Sequence, residues 1–157
     1  PLSREGMEQL GTLHYALPPV RFLTSGMQRT EQTLAVLFGD VPHGQDAAFR
    51  EIDFGAFEMH SYAQLKEKPD YIAWISGDNH RNVPPGGESG EAMTARVLAG
   101  FRRLQMENLP TALITHGGVI AAIMESLFPE EKKSRYQWQP EPGHGYVIFD
   151  GGYQAIP

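Results

Sequence analysis

The chain predicts a three-layer α/β sandwich, a mainly parallel sheet with helices on both faces, and three observations carry that expectation. Short apolar strands alternate with helices along the sequence, as parallel crossovers require. The run Thr111-Ala112-Leu113-Ile114 ends at Thr115-His116-Gly117-Gly118 and turns into the apolar helix Val119–Met124. No internal repeat, linker or low-complexity tract divides residues 1–157, so a single domain is expected.

The elements follow in order. Ser3 is placed to cap a helix on which Met7, Leu10, Leu13 and Leu17 recur at helical spacing until Pro18-Pro19 stops it. Val20–Thr24 reads as a strand, Ser25-Gly26 as a turn, and Arg29–Phe38 as a helix closed by Gly39. Arg29 lies in the first turn of that helix, where the dipole favours acids; it is either an anion ligand or a solvated surface arginine. Phe49-Arg50-Glu51-Ile52-Asp53-Phe54-Gly55-Ala56-Phe57-Glu58 alternates aromatics and acids. It is either an edge strand with its acids in water or a pocket wall holding a carboxyl group in partly apolar surroundings.

Ser61 is placed to cap a short helix through Lys66, and Asp70–Ile75 forms another; both read as a cover over the sheet. Gly77–Gly90 is a Gly/Pro/Asn-rich loop longer than ordinary connections, and it leads into a helix with Met93, Val97, Phe101 and Leu104 on one face. Pro129–Arg135 reads as a solvated helix, Gln137–Gly145 as a proline-punctuated loop, and Tyr146–Asp150 as a final strand turned by Gly151-Gly152.

His116 falls at the carboxyl end of a strand, the edge where open α/β sheets bind ligands; Gly117 and the amides opening the next helix favour an anion there. A histidine that merely satisfies a loop is the plainer alternative. A net charge of −6 argues against a nucleic-acid or membrane-surface binder, so a bound anion must be held by a few local cations. No apolar run approaches the roughly eighteen residues of a membrane span. The chain has no cysteine, which fits a soluble cytoplasmic protein, and no cluster with metal-ligand spacing is evident.

Several stretches together resemble the histidine phosphatase superfamily, which includes the cofactor-dependent phosphoglycerate mutases. Pro1-Leu2-Ser3-Arg4-Glu5-Gly6 is similar to its Pro-Leu-Thr-x-x-Gly segment, and Thr24–Thr33 to its Ser-x-x-x-Arg-x-x-x-Thr segment. Glu51–Glu58 resembles Glu-x-x-x-Gly-x-Trp-Glu, and Pro85-Gly86-Gly87-Glu88-Ser89 followed by Arg96, then Thr115-His116-Gly117-Gly118, complete the family's order. Tyr136–Pro140 and Pro142–Tyr146 are similar to the branch of α-ribazole phosphatases and mutase-like proteins.

The resemblance implies a phosphomonoesterase acting on a small phosphorylated metabolite. A histidine attacks phosphorus, water hydrolyses the phosphohistidine, two arginines and a second histidine hold the oxygens, and a glutamate protonates the leaving group. Carried onto this chain, Arg29 is one arginine, His116 a charged second histidine and Glu51 the proton donor, walled by Phe49, Phe54 and Phe57. Gly117 and His144 are expected to line the substrate pocket. No metal or cofactor is implied, no nucleic-acid or membrane partner, and either a monomer or a homodimer.

One departure stands out. The family's nucleophile lies in an Arg-His-Gly motif ending an N-terminal strand ahead of the Pro-Leu-Thr-x-x-Gly segment, and residues 1–157 contain no Arg-His-Gly. The nucleophile, and the strand that carries it, are therefore expected in a segment before Pro1. The alternatives are a non-catalytic phosphate-binding relative, a strand donated by another chain, or a phosphoglycerate mutase. His144 precedes a strand and has no adjoining arginine, so it is a poor substitute nucleophile.

Overall fold

The computed structural model describes residues 1–78 and 80–157; Asn79, inside the long loop, lies outside the described residues. Ser3 caps α1 (Arg4–Leu10) by accepting a hydrogen bond from the Gly6 amide. This helix is shorter than its apolar spacing suggests. Gly11 ends it, Thr12 Oγ1 donates to the Gln9 carbonyl, and Leu13 and Leu17 lie on irregular chain.

The parallel sheet is built from β1 (Arg21–Thr24), β2 (Gly44–Gln45) and β3 (Thr111–Ile114) in the order β2-β1-β3. Leu23 is in register with Leu113 and Phe22 with Ala112, so the alternation of a strand assigns each pair to one face. The Phe22 face is covered by α2 (Gln28–Phe38), whose Phe38 ring lies 5.0 Å from that of Phe22. The Leu113 face is covered by α5 (Gly90–Glu107) and α6 (Gly117–Leu127), which enclose Phe49, Met93, Val97, Val119 and Ile123. Helices therefore lie on both faces, as the sequence predicts. Each such large apolar side chain taken fully out of water contributes about 1.5–3 kcal/mol, which makes this cluster the principal anchor of α5 and α6 on the sheet.

Residues 49–58 form no strand. They make two single 3-10 turns, Ala47–Phe49 and Gly55–Phe57, separated by extended chain. Phe49 is pulled into the core, which leaves its neighbours Arg50 and Glu51 outside it. The helices α3 (Tyr62–Leu65) and α4 (Pro69–Ser76) follow, α3 closed by a capping box between Ser61 and Gln64. Tyr71 and Trp74 of α4 pack on Phe57 at ring separations of 5.3 and 5.4 Å, and Trp74 also touches Phe54 at 5.6 Å.

The segment expected as a solvated helix is divided: Pro129–Glu131 is a 3-10 turn, Lys132 adopts a positive φ, and α7 (Arg135–Trp138) starts on the last residue of that segment and runs into the expected loop. Trp138 is the reason, because its indole is buried against α6 and the tyrosines of a terminal antiparallel hairpin, β4 (Gly145–Phe149) and β5 (Gly152–Ile156). No helix among the described residues is long and apolar enough to cross a membrane.

A clasp joins α2 to the loop before β2. Glu31 accepts from Thr24 Oγ1, from Gln45 Nε2 at 2.8 Å and from His43 Nε2 at 2.6 Å, while His43 Nδ1 lies 2.9 Å from the Val41 carbonyl. The Val41 carbonyl, then the Glu31 carboxylate, raise the His43 pKa; the Thr24 hydroxyl is the chief cause lowering that of Glu31. A raised histidine pKa contributes stability fully below its ordinary value of 6.5 and loses it as pH rises through the folded value. His43→Ala is therefore expected to lower the thermal midpoint more at about pH 5.5 than at about pH 8.5. Equal shifts at the two pH values would show that the clasp carries no charge.

Candidate active site

The carboxyl ends of the three parallel strands converge on one edge, and the residues just beyond them are Ser25 after β1, Asp46 after β2 and Thr115-His116 after β3. His116 is 6% exposed and has both ring nitrogens engaged. Arg29 Nε donates to His116 Nδ1 at 3.2 Å, and Ser25 Oγ lies 2.8 Å from Nε2. An arginine can only donate, so Nδ1 must be the unprotonated nitrogen and Nε2–H the donor to Ser25. Burial is the leading cause that pushes the His116 pKa down to about 4, followed by the charges of Arg29, Arg50 and Arg96. The expected charged histidine is thus corrected: in this arrangement His116 is neutral and orients Arg29. The same tautomer excludes a serine-nucleophile reading, because Nε2 has no lone pair with which to deprotonate Ser25.

Arg29 and Glu51 line a common cleft of about 510 Å³, together with Arg50, Phe54, Glu88 and Arg96 among others. The Glu51 carboxylate sits at the start of α6. Oε2 accepts the Gly118 amide at 3.1 Å and Oε1 accepts the Ile52 amide at 3.0 Å. A Cβ on residue 118 would stand 2.5 Å from Glu51 Oε1, so a side chain there would push the carboxylate from its place. The expected aromatic walls are only partly present: Phe54 lines the cleft, Phe49 is in the core, and Phe57 packs under α4.

The loop that carries Glu51 is fixed by Arg96 of α5. Its Nη1 donates to the carbonyls of Ala48 at 2.9 Å and Arg50 at 2.7 Å, and its Nη2 to that of Glu51 at 3.1 Å. Its Nη2 and Nε also bind the two oxygens of Glu88 at 2.5 and 3.2 Å. Glu88 in turn pairs with Asp53, its Oε1 accepting the Asp53 amide at 3.1 Å and its own amide donating to the Asp53 carbonyl at 2.8 Å. The two loops cross so closely that glycine is required at both crossing points. A Cβ on Gly55 would lie 2.1 Å from the Pro85 carbonyl oxygen, and one on Gly87 would lie 2.4 Å from that of Asp53.

The structure thus brings His116, Arg29 and Glu51 to one place. Gly117 opens α6 but faces the Gln139 side chain, and His144 lies in a separate depression beside Leu10, Leu13 and Glu141. His144 thus lies away from the cleft that Arg29 and Glu51 line, unlike the expectation, while Gly117, like His116, adjoins that cleft beside the Gly118 amide that binds Glu51. Gly143, at positive φ, sets His144 there: its carbonyl accepts from Tyr15 Oη and its Cα faces Leu10 and Leu13. Sequence reasoning missed Ser25, Arg50 and the Arg96–Glu88 pair as parts of the site. The spacing of Ser25 to Arg29 held the signal for the first, and Glu88 to Arg96 on one helix approach held it for the last. Arg50 had none beyond adjacency to Glu51. Among the described residues no group of histidines and carboxylates could hold a metal ion.

Residues 1–150 match the Histidine phosphatase superfamily (branch 1), and the chain belongs to that superfamily. Its fold is similar to that of the alpha-ribazole phosphatase from Shigella flexneri, at 24% identity and a TM-score of 0.83, covering 99% of this chain and 83% of that one. It is also similar to a phosphoglycerate mutase from Thermus thermophilus, at 29% identity and a TM-score of 0.68, covering 100% and 82% of the two chains. Among curated proteins none matches the sequence. Membership supports phosphatase-like activity.

The neutral state of His116 has a consequence for stability. Between pH 6.5 and about 4 the unfolded chain takes up a proton on this histidine that the folded chain refuses, so acidification through that window favours unfolding. His116→Gln is expected to flatten the loss of stability over the same window, read as the urea midpoint at several pH values. An unchanged acid slope in the variant would show that His116 is not the buried neutral group.

Proposed function

We propose that the protein is a phosphomonoesterase that hydrolyses a small phosphorylated metabolite through a phosphohistidine. The observation that carries this reading is the pairing of an oriented guanidinium with a carboxyl group in one cleft. Arg29 commits only Nε to His116, leaving its two terminal nitrogens to hold phosphate as a fork, while Glu51 stands across the start of α6 as a proton carrier.

In this reading a histidine nitrogen attacks phosphorus, the bond to the leaving oxygen breaks, and Glu51 gives that oxygen a proton. Water then attacks the phosphohistidine, Glu51 takes a proton from it, and phosphate and free histidine are released. The attacking histidine is assigned to a segment ahead of Pro1. Support comes from β3, which pairs only with β1 among the described residues and keeps a free edge, its four residues half-buried although both sheet faces are covered. A further parallel strand on that edge would deliver its carboxyl end beside His116. A non-catalytic relative that holds phosphate through Arg29 without turnover is the second reading, favoured by the tautomer argument that removes Ser25 as a nucleophile.

The test is turnover of p-nitrophenyl phosphate and a panel of metabolite phosphates by the protein with its native preceding segment. Glu51→Gln is expected to lower kcat by about two to four orders of magnitude, the usual contribution of a general acid. Phosphate binding without turnover by the longer protein would select the non-catalytic reading. Full activity of Glu51→Gln would remove Glu51 from the chemistry.

A further inference from the structure

His116 stands in the middle of a chain of hydrogen bonds whose far end lies on the first turn of α2. Ser25 and Thr30 are each 2% exposed, and their hydroxyl oxygens lie 3.2 Å apart. Thr30 Oγ1 donates to the Met27 carbonyl at 2.7 Å, and the Met27 amide donates to Ser25 Oγ at 3.3 Å. With His116 Nε2 at 2.8 Å, Ser25 Oγ has three partners, as many as a hydroxyl can serve.

The direction of the chain follows from either end. A carbonyl only accepts, so Met27 takes the single hydroxyl hydrogen of Thr30 and leaves Thr30 Oγ1 to accept from Ser25. Ser25 then has no hydrogen left for His116, and Nε2 must be the donor. At the other end Arg29 Nε can only donate, which leaves Nδ1 unprotonated and again puts the proton on Nε2. Both ends demand the same tautomer. Burial makes the demand strict, because bulk water does not reach these hydroxyls to supply the partner that a reversed one would lack.

Thr30 falls on an unassigned position of the Ser-x-x-x-Arg-x-x-x-Thr segment and does not line the cleft. We propose that Thr30 is a positioning residue of the site: acting through Ser25, its hydroxyl fixes the His116 proton on Nε2 and so keeps Nδ1 free to hold Arg29. The inference goes beyond the phosphatase reading, since it holds whether the cleft turns phosphate over or only binds it.

Nitrogen NMR of the imidazole rings tests it on the protein with its native preceding segment, without phosphate, His116 being identified by the signals that His116→Gln removes. The unaltered protein is expected to show one protonated and one unprotonated His116 nitrogen at neutral pH. Thr30→Val keeps the shape and loses the hydroxyl, so Ser25 is left with a hydrogen that only Nε2 can receive, and the imidazole proton is drawn to Nδ1 against the Arg29 donor. The two nitrogen resonances are then expected to move towards each other as the second tautomer gains population. Affinity for inorganic phosphate, by calorimetry, is expected to fall about tenfold, the equivalent of one lost hydrogen bond on Arg29. Thr30→Ser keeps a hydroxyl and is expected to match the unaltered protein in both measurements. Unmoved resonances in Thr30→Val, or a movement that Thr30→Ser shares, would overturn the proposal and leave the phosphatase reading standing. Moved resonances with undiminished phosphate affinity would overturn the link to Arg29. Resonances that move in Thr30→Val and not in Thr30→Ser, in a protein that binds no phosphate, would uphold the hydroxyl chain and remove the phosphatase reading instead.

Discussion

The cleft depends on Arg96. One guanidinium holds the carbonyls of Ala48, Arg50 and Glu51 and both oxygens of Glu88, so a single side chain of α5 joins the two loops that form the cleft's walls. A pair of this kind is weak evidence for stability, because desolvation offsets much of its attraction. Its value is geometric. Removing either partner would leave acceptors or a charge without their donors, at about 1–3 kcal/mol for each group left unpaired, less where water can reach it. The side chains of Arg96 and Glu88 retain 28% and 21% exposure, so water would offset part of that loss but would not restore the loop's position.

Against that fixed wall, the opposite side of the cleft is set by a neutral histidine. A cationic His116 would suit a phosphate, yet a charged imidazole would lose the Arg29 hydrogen bond and place two cations 3.2 Å apart in a buried setting. Neutrality is the lower-energy state, and it makes the imidazole a bridge between Ser25 and Arg29. The order is then Ser25 to His116 to Arg29, with only the arginine presented outward. Negative charge brought beside it would act against the causes that depress the histidine's proton affinity, so anion binding and the state of the bridge are linked.

The fold was largely legible because its signals are local. Ser3, Ser61 and Ser89 stand as caps where helices begin, Gly39 closes α2, and the alternation of strands and helices gives the parallel sheet. The failures are tertiary. Leu13 and Leu17 continue a helical spacing that Gly11 has already ended, and Trp138 draws a helical turn out of a proline-rich loop by its burial against α6. In the site, Arg29, Glu51 and His116 were visible through motif order, while the state of His116 was not, because it follows from which atoms face it. His144 was misplaced for the same reason: adjacency to a strand says nothing about which cleft that strand end borders.

The start of α6 shows how the remaining charges are arranged. A helix N-terminus after a parallel strand offers unpaired amides to an anion, and the sequence invites a phosphate there. In the structure the Gly118 amide already binds Glu51 Oε2, so the protein's own carboxylate occupies the position an anionic ligand would take. Two anions cannot share that spot without a cation between them. The helix start thus serves to station the carboxyl group, and in the proposed phosphatase reading it is side-chain guanidinium groups that remain to hold a phosphate. In that reading the amides serve Glu51 and the arginines the ligand, so the same donors are not asked to serve both.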